Sequence, residues 1–215
     1  MDSREHWDQV YRSRGASGVS WYQQSADLSL RMIAAERGPD SAIIDVGGGA
    51  STLVDGLLEA GYRDITVLDL SRTALDLAQQ RLGVSSQRVQ WLEANVLTVE
   101  LKHGSYDVWH DRAVFHFLTS ARDRVGYVEQ VRRAVKPGGH VLVATFAEDG
   151  PERCSGLPVA KYGADALHAE FGSDFRLIKS ERQRHITPWG APQAFTYCLC
   201  RYCPQSVAGR TKLAA

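Results

Sequence analysis

Acids at the ends of apolar runs, and one turn rich in glycine, carry the first chemistry legible in this chain. Asp45-Val46-Gly47-Gly48-Gly49-Ala50-Ser51 grows out of the apolar run Ala42-Ile43-Ile44 and opens a helical pattern at Thr52. Glycines in such a turn let the backbone bend tightly and let a ligand press against the main chain. Gly47 and Gly49 fit the first two positions of a dinucleotide-binding turn. Thr52 stands at the third, where close helix packing needs Gly or Ala. Asp45, just before the glycines, suits a ligand with a cationic amine and disfavours one with phosphates. Asp69 closes the next apolar run, Ile65-Thr66-Val67-Leu68, at the position where a carboxylate accepts both hydroxyls of a ribose. Asn95 follows Val89-Gln90-Trp91-Leu92 and offers an amide oxygen to the amino edge of an adenine.

A second group, Asp111-Arg112-Ala113-Val114-Phe115-His116-Phe117, follows the run Tyr106-Asp107-Val108-Trp109. On a helical turn Arg112 and His116 share a face. His116 titrates in the useful range and is the first candidate for a general base. Structural hydrogen bonding is its other reading. Upstream, Trp7, Tyr11, Trp21 and Tyr22 form an aromatic N-terminal segment, which packing of a first helix explains equally well.

The elements that must position these residues alternate. Between the strand-like runs lie helical patterns at Thr52–Ala60, at Arg72–Leu82 capped by Ser71 and stopped by Gly83, and at Arg122–Val135. The last should bury Val125, Val128, Val131 and Val135 before the turn Lys136-Pro137-Gly138-Gly139, and His140–Phe146 is the next strand. Strand–helix alternation predicts an α/β fold with a parallel sheet and right-handed crossovers. After Phe146 the pattern changes to a Gly/Pro-rich loop, a short helix near Ala164–Glu170, and two strands, Phe175–His185 and Phe195–Tyr202, without a helix between them. That reads as an antiparallel hairpin added to the sheet. On the second of these strands Cys198 and Cys200 share one face and Cys203 the other, which argues against a three-thiolate metal site. No metal is predicted.

In 215 residues, 44% hydrophobic and 23% charged, one domain with a single sizeable core is expected. Lys+Arg and Asp+Glu both number 25, so the formal net charge is zero. That balance argues against nucleic acid or an anionic membrane as the main partner. A polar start without an apolar h-region, and four cysteines without a secretory signal, predict a cytoplasmic protein. Oligomeric state is not encoded in any pattern here.

Taken together, these motifs resemble the class I S-adenosylmethionine-dependent methyltransferases of the methyltransferase type 12 group. Asp45 to Ser51 is similar to their first motif, with Ser51 where many members keep a third glycine. Asp69-Leu70-Ser71 matches the ribose-binding position, and Asn95-Val96 the adenine site, where Asp is commoner. The resemblance implies a Rossmann-like, doubly wound, seven-stranded sheet, mostly parallel, with an antiparallel C-terminal hairpin strand. It implies one domain over residues 1–203: a lid and first helix at 1–38, a cofactor-binding half at 39–146, and substrate-side loops and hairpin at 147–203. Residues 204–215 are expected to fray as a flexible tail. It also implies that Tyr11 reaches the methionine carboxylate, that Trp7 and Trp21 cover the cofactor, and that Asp111 holds the methionine or the acceptor. His185 and Trp189, in loops on the same side, are expected to line the pocket, while Cys154 reads as a passive loop thiol.

The function so implied is methyl transfer from S-adenosylmethionine, leaving S-adenosylhomocysteine, to a small-molecule acceptor. A protein-lysine acceptor is the alternative, suggested by the aromatic N-terminal segment. Against it, Asp111-Arg112-Ala113-Val114 departs from the acid followed by Lys-Gly-Thr that such enzymes often show. A non-catalytic cofactor-binding module is the third reading. The Asn/Asp-Pro-Pro-aromatic motif of amino-group DNA methyltransferases is absent from this place.

Overall fold

The computed structural model describes residues 3–204, and the expected tail beyond Pro204 lies outside them. Helix α1 (Ser3–Arg14) and α2 (Asp27–Glu36) precede strand β1 (Ala42–Val46). Then follow α3 (Leu53–Glu59), β2 (Asp64–Asp69), α4 (Arg72–Leu82), β3 (Val89–Glu93), β4 (Tyr106–Arg112), α5 (Ala121–Ala134) and β5 (Val135–Phe146). A two-stranded ribbon, β6 (Arg153–Cys154) with β7 (Leu157–Pro158), leads to α6 (Ala164–Phe171) and the hairpin β8 (Phe175–Ile186) and β9 (Pro192–Tyr202).

The seven-stranded sheet has the order β3-β2-β1-β4-β5-β9-β8. Its first five strands run parallel and β9 joins β5 antiparallel. The fold is α/β and doubly wound, because both faces are covered. Alternating side chains divide between the two cores. Ile43, Leu142, Ala144, Phe146, Phe195 and Tyr197 face the layer of α2 and α3. Ile44, Val46, Val141, Val143, Cys198 and Cys200 face α5 and α6. This period-two division follows from strand geometry and explains why β1 reads as continuously apolar.

Local signals placed most ends well. Ser71 caps α4, its side chain accepting from Ala74 N–H at 3.1 Å, and Gly83 closes it with φ of 56°. Two expectations need correction. Val125 is 63% exposed, because the buried stripe of α5 is centred on Tyr127, Val128, Val131 and Ala134. Lys136-Pro137-Gly138-Gly139 does not precede the strand as a turn but lies within β5, where the register to β4 slips between Tyr106 and Val108.

At the centre of the α5 core, Trp109 Nε1 donates to Tyr127 Oη at 2.8 Å, and Tyr127 Oη donates to Asp111 Oδ2 at 2.5 Å. All three residues are fully buried. A phenylalanine at 127 would leave an indole N–H and a carboxylate oxygen unpaired. Tyr127→Phe should therefore lose about 2–3 kcal/mol of stability, read from the urea midpoint at unchanged slope.

Candidate active site

The site is built where β1, β2, β3 and β4 end, as expected for ligands of an open parallel sheet. Gly47 has φ of +66°, and a Cβ there would fall 1.9 Å from Val114 Cγ2, so only glycine lets this turn pass the loop after β4. A Cβ at Gly49 would meet Asp69 Oδ2 at 2.6 Å. The glycines thus make room for neighbouring protein groups, and Gly47 but not Gly49 also lines the cavities beside them.

Two cavities open beside this turn. The larger, about 320 Å³, is lined by Trp7, Tyr11, Trp21, Gly47, Asp69, Leu70, Asn95, Val96 and Arg112 among the expected residues. Leu68, Val114, Phe117, Leu118, Leu157 and Pro158 complete much of its wall. The smaller, about 40 Å³, lies between Tyr11, Trp21, Asp45, Gly47, Gly48 and Arg112. Tyr11, Trp21, Gly47 and Arg112 line both, so the two cavities share a wall.

The acids of the cleft have different surroundings. Asp45 is buried, its Oδ1 lying 2.7 Å from His110 Nδ1, while His110 Nε2 lies 2.8 Å from Ser29 Oγ. A carboxylate only accepts, so Nδ1 donates to Asp45, and Nε2 pairs with the serine hydroxyl. Asp45 Oδ2 is buried with no donor. Asp69 is also buried; its Oδ1 accepts from Ser71 N–H at 2.8 Å. Burial lifts the Asp69 carboxyl to about 7, opposed by the Ser71 N–H and reinforced by Asp45 and Asp8.

Arg112 is held by partners far away in sequence. Its Nε donates to Tyr197 Oη at 2.8 Å and one terminal nitrogen donates to Trp21 O at 2.9 Å. The guanidinium sits 4.1 Å from the centre of the Phe195 ring. Its other terminal nitrogen is buried without a partner.

The aromatic segment closes this cleft from above. Trp7 packs edge-to-face on Trp21 and on Phe117, at 5.7 and 5.0 Å between ring centres. Tyr11 is 6% exposed, and burial beside Asp69 keeps its hydroxyl protonated far above neutral pH. Sequence reasoning missed the clamp that seats α1. Asp8 accepts from Ser71 Oγ at 2.6 Å and from Thr73 N–H at 3.0 Å. These bonds outweigh its burial and hold Asp8 below the usual carboxylate range. The signal was present as an acid one turn from Tyr11, but its target at the start of α4 is not readable from spacing.

Several expected residues stand elsewhere. Arg112 ends β4 while His116 lies in a short 3-10 turn, Phe115–Phe117, and Ala113 between them has φ of 73°. They therefore share no helical face. His116 is fully buried, its ring against Phe117 and Phe146, and is not among the cavity's lining residues. Burial, with the charge of Arg112, drives its pKa down to about 3. Asp111 is likewise behind the wall. It accepts from Val114 N–H, Phe115 N–H and Tyr127 Oη, shaping the turn from beneath. Burial raises it to about 6 against the pull of those bonds.

Asn95 lines the cavity, but its amide oxygen, expected to meet an amino donor, accepts from Leu97 N–H at 2.9 Å. His185 turns to Ser20 O at 2.7 Å and Trp189 is 59% exposed, so neither lines the cavity. Cys154 is buried, and burial pushes its thiol up to about 12.

The Asp69 environment has a thermodynamic signature. A carboxyl near 3.9 in the unfolded chain and near 7 when folded makes the native state bind the extra proton between these values. Its burden is absent below about pH 4 and complete above about pH 7. Asp69→Asn should therefore raise Tm at pH 8 relative to the native chain, and the gain should vanish as the pH is lowered to about 4.

Comparisons with known proteins agree with this architecture. Residues 44–141 match the family model described as a methyltransferase domain. The chain is 24% identical over 152 residues to the "eEF1A lysine and N-terminal methyltransferase" of Danio rerio, covering 69% of this chain and 22% of that protein. It is 25% identical over 162 residues to the "EEF1A lysine methyltransferase 2" of Homo sapiens, covering 67% and 68%. Among solved structures, one described as "Conversion of a Disulfide Bond into a Thioacetal Group during Echinomycin Biosynthesis" superposes with a TM-score of 0.75 at 20% identity, covering 95% of this chain and 94% of that one. The N-methyltransferase NodS of Bradyrhizobium japonicum, solved with S-adenosylhomocysteine, gives 0.69 at 14% identity, covering 92% and 98%. The family match, the relatives and the fold are all similar to those of S-adenosylmethionine-dependent methyltransferases.

Proposed function

We propose that this chain transfers the methyl group of S-adenosylmethionine to a small-molecule acceptor, leaving S-adenosylhomocysteine. The cleft fits the cofactor's chemistry. Asp69 would take the ribose hydroxyls, Leu70 and the Asn95-Val96 segment the base, and Asp45 the ammonium of the amino-acid end. The orphaned, buried Oδ2 of Asp45 supports that last assignment. Trp7, Tyr11 and Trp21 would cover the bound cofactor. In this reading residues 1–38 act as the lid, 39–146 hold the cofactor, and 147–203 shape the acceptor side of one domain, 1–203.

The observation that carries the acceptor class is the wall of the larger cavity. Away from Asp69 it is aromatic and apolar, formed by Trp7, Trp21, Phe117, Leu118, Leu157 and Pro158. Arg112 is the one formally charged lining residue besides Asp69. A lysine ammonium would meet a like charge there and find its nearest lining carboxylate on the cofactor side. A neutral or anionic molecule with an apolar body fits that wall, and Arg112 lines it as its one cation.

The cofactor supplies an electrophilic methyl on a sulfonium. The protein's own share is to align the acceptor, exclude water and hold charge. Arg112 orients the acceptor. His116 supports the wall from behind and handles no proton, so an acceptor must bind already deprotonated or lose its proton after transfer. Asp8 fastens the lid by holding the start of α4.

The relatives described as eEF1A lysine methyltransferases favour a second reading, a protein-lysine acceptor. Transfer of labelled methyl from S-adenosylmethionine into a metabolite extract and a protein extract separates the two. Label in small molecules is the expected result. Label only in a protein band would replace the proposal with the second reading. Cofactor binding without label in either extract would leave a binding module. In the same assay His116→Gln should keep kcat within about threefold, since no reacting atom meets the ring; a loss of a hundredfold would return it to the role of base.

The lid is tested separately. Asp8→Ala should weaken S-adenosylhomocysteine binding by about tenfold, through loss of charge-assisted bonds worth roughly 1.5–3 kcal/mol that seat α1. Calorimetry measures it directly, with unchanged affinity excluding the clamp.

A further inference from the structure

A cavity of about 300 Å³ lies far from the cofactor cleft, lined by Glu36, Arg37, His140, Arg176, Ile178 and Arg201. Strand register creates it. His140 of β5 stands opposite Arg201 of β9, and Arg201 stands opposite Arg176 of β8. Directly opposed residues project to the same face with Cβ atoms about 5 Å apart. One row across three strands therefore presents an imidazole and two guanidiniums. The row sits toward the start of β5, whereas the cofactor cleft lies beyond the carboxyl ends of the parallel strands.

Arg37, which follows α2, adds a third guanidinium. Its Nε donates to His140 Nδ1 at 2.9 Å, and a terminal nitrogen donates to Gly138 O. Because Nδ1 accepts, the ring proton is on Nε2, which faces Glu36 Oε2 at 3.3 Å. The imidazole is thus neutral, and burial together with Arg37 keeps its pKa below the usual histidine range. Three guanidiniums face one carboxylate.

Several arginines elsewhere find acids: Arg31 reaches Glu181, Arg81 Asp55, Arg124 Glu170 and Arg132 Asp174. Arg176 and Arg201 have no carboxylate partner among the described residues. Like charges placed directly opposite on paired strands destabilise a sheet. Here that repulsion is concentrated in a concave surface, where an anion would relieve it.

We propose that this cavity binds a small molecule carrying a phosphate dianion, held by Arg37, Arg176 and Arg201. Planar guanidiniums present paired N–H donors that match phosphate oxygens, and the surplus of positive charge matches a dianion. Glu36, hydrogen-bonded to a neutral His140, keeps its charge and offsets one of the three guanidiniums, which leaves a surplus matched to a dianion. The site is independent of the acceptor assignment above, because it shares no residue with the cofactor cleft.

The test uses the whole chain saturated with S-adenosylhomocysteine, so that the cofactor cleft is filled. Thermal unfolding is followed in sodium phosphate and in sodium chloride of equal ionic strength, for the native chain and for an Arg176→Gln, Arg201→Gln double variant. Both side chains are exposed, so the variant should fold. Phosphate should raise the Tm of the native chain above the chloride control and leave the variant unmoved. Without phosphate, the variant should melt no lower than the native chain. Titration with glycerol 3-phosphate should show affinity at least about tenfold weaker in the variant, a difference of about 1.4 kcal/mol. Equal shifts in phosphate and chloride, or a phosphate shift kept by the variant, would overturn the site. So would binding to phosphatidic-acid vesicles with none to inorganic phosphate or glycerol 3-phosphate.

Discussion

The structure depends on how closely the turn after β1 passes its neighbours. At Gly47 there is no room for a single carbon beside Val114, and at Gly49 none beside Asp69. These approaches tie the ends of β1, β2 and β4 into one unit, with Gly47 N–H donating to Leu68 O at 2.6 Å. The cleft is what remains between these elements once they are drawn together. A side chain at Gly47 would push away the loop after β4, and with it the wall formed by Val114 and Phe117.

Around that turn the fold manages buried acid in three ways. Asp111 is consumed by structure, its oxygens taken by two backbone N–H groups and Tyr127. Asp45 is half satisfied, with His110 and Ser29 lined up behind it and one oxygen left over. Asp69 is satisfied at one oxygen, and burial, reinforced by Asp45 and Asp8, raises its carboxyl. A buried acid without its full set of donors costs stability unless a ligand completes it. The larger cavity therefore sets Asp69 against an apolar wall, and Asp45 lines the smaller one. Overall neutrality of charge conceals this separation.

Much of the scaffold was legible because its causes are local. Ser71 and Gly83 bound α4 through bonds and backbone angles within a turn of themselves. The strands β1 and β5 announce themselves as apolar runs because both faces are covered. Where local reasoning failed, a nonlocal partner decided. Val125 has the right spacing from Val128 but lost its place to Tyr127, whose hydroxyl pairs with Trp109 and Asp111. Asp111 and His116 carry suggestive chemistry, yet both lie behind the loop whose front residues line the cavity. Their neighbours Arg112, Val114 and Phe117 do line it, so a displacement of one residue along the chain separates wall from support.

By itself, the sequence determined that an acid-flanked glycine turn, a strand-terminal Asp69 and an Asn95 segment would follow three successive strands of a parallel sheet. Those features depend on neighbours within a few residues, and covalent connection guarantees such neighbours. Only the tertiary structure decided what Arg112 grips, since Tyr197 and Trp21 lie in distant segments that meet when β9 joins β5. It alone brought Asp8 to Ser71, and set His140, Arg201 and Arg176 in one row. Register between strands far apart in the chain is fixed by packing of both faces at once, and no single stretch of residues contains that information.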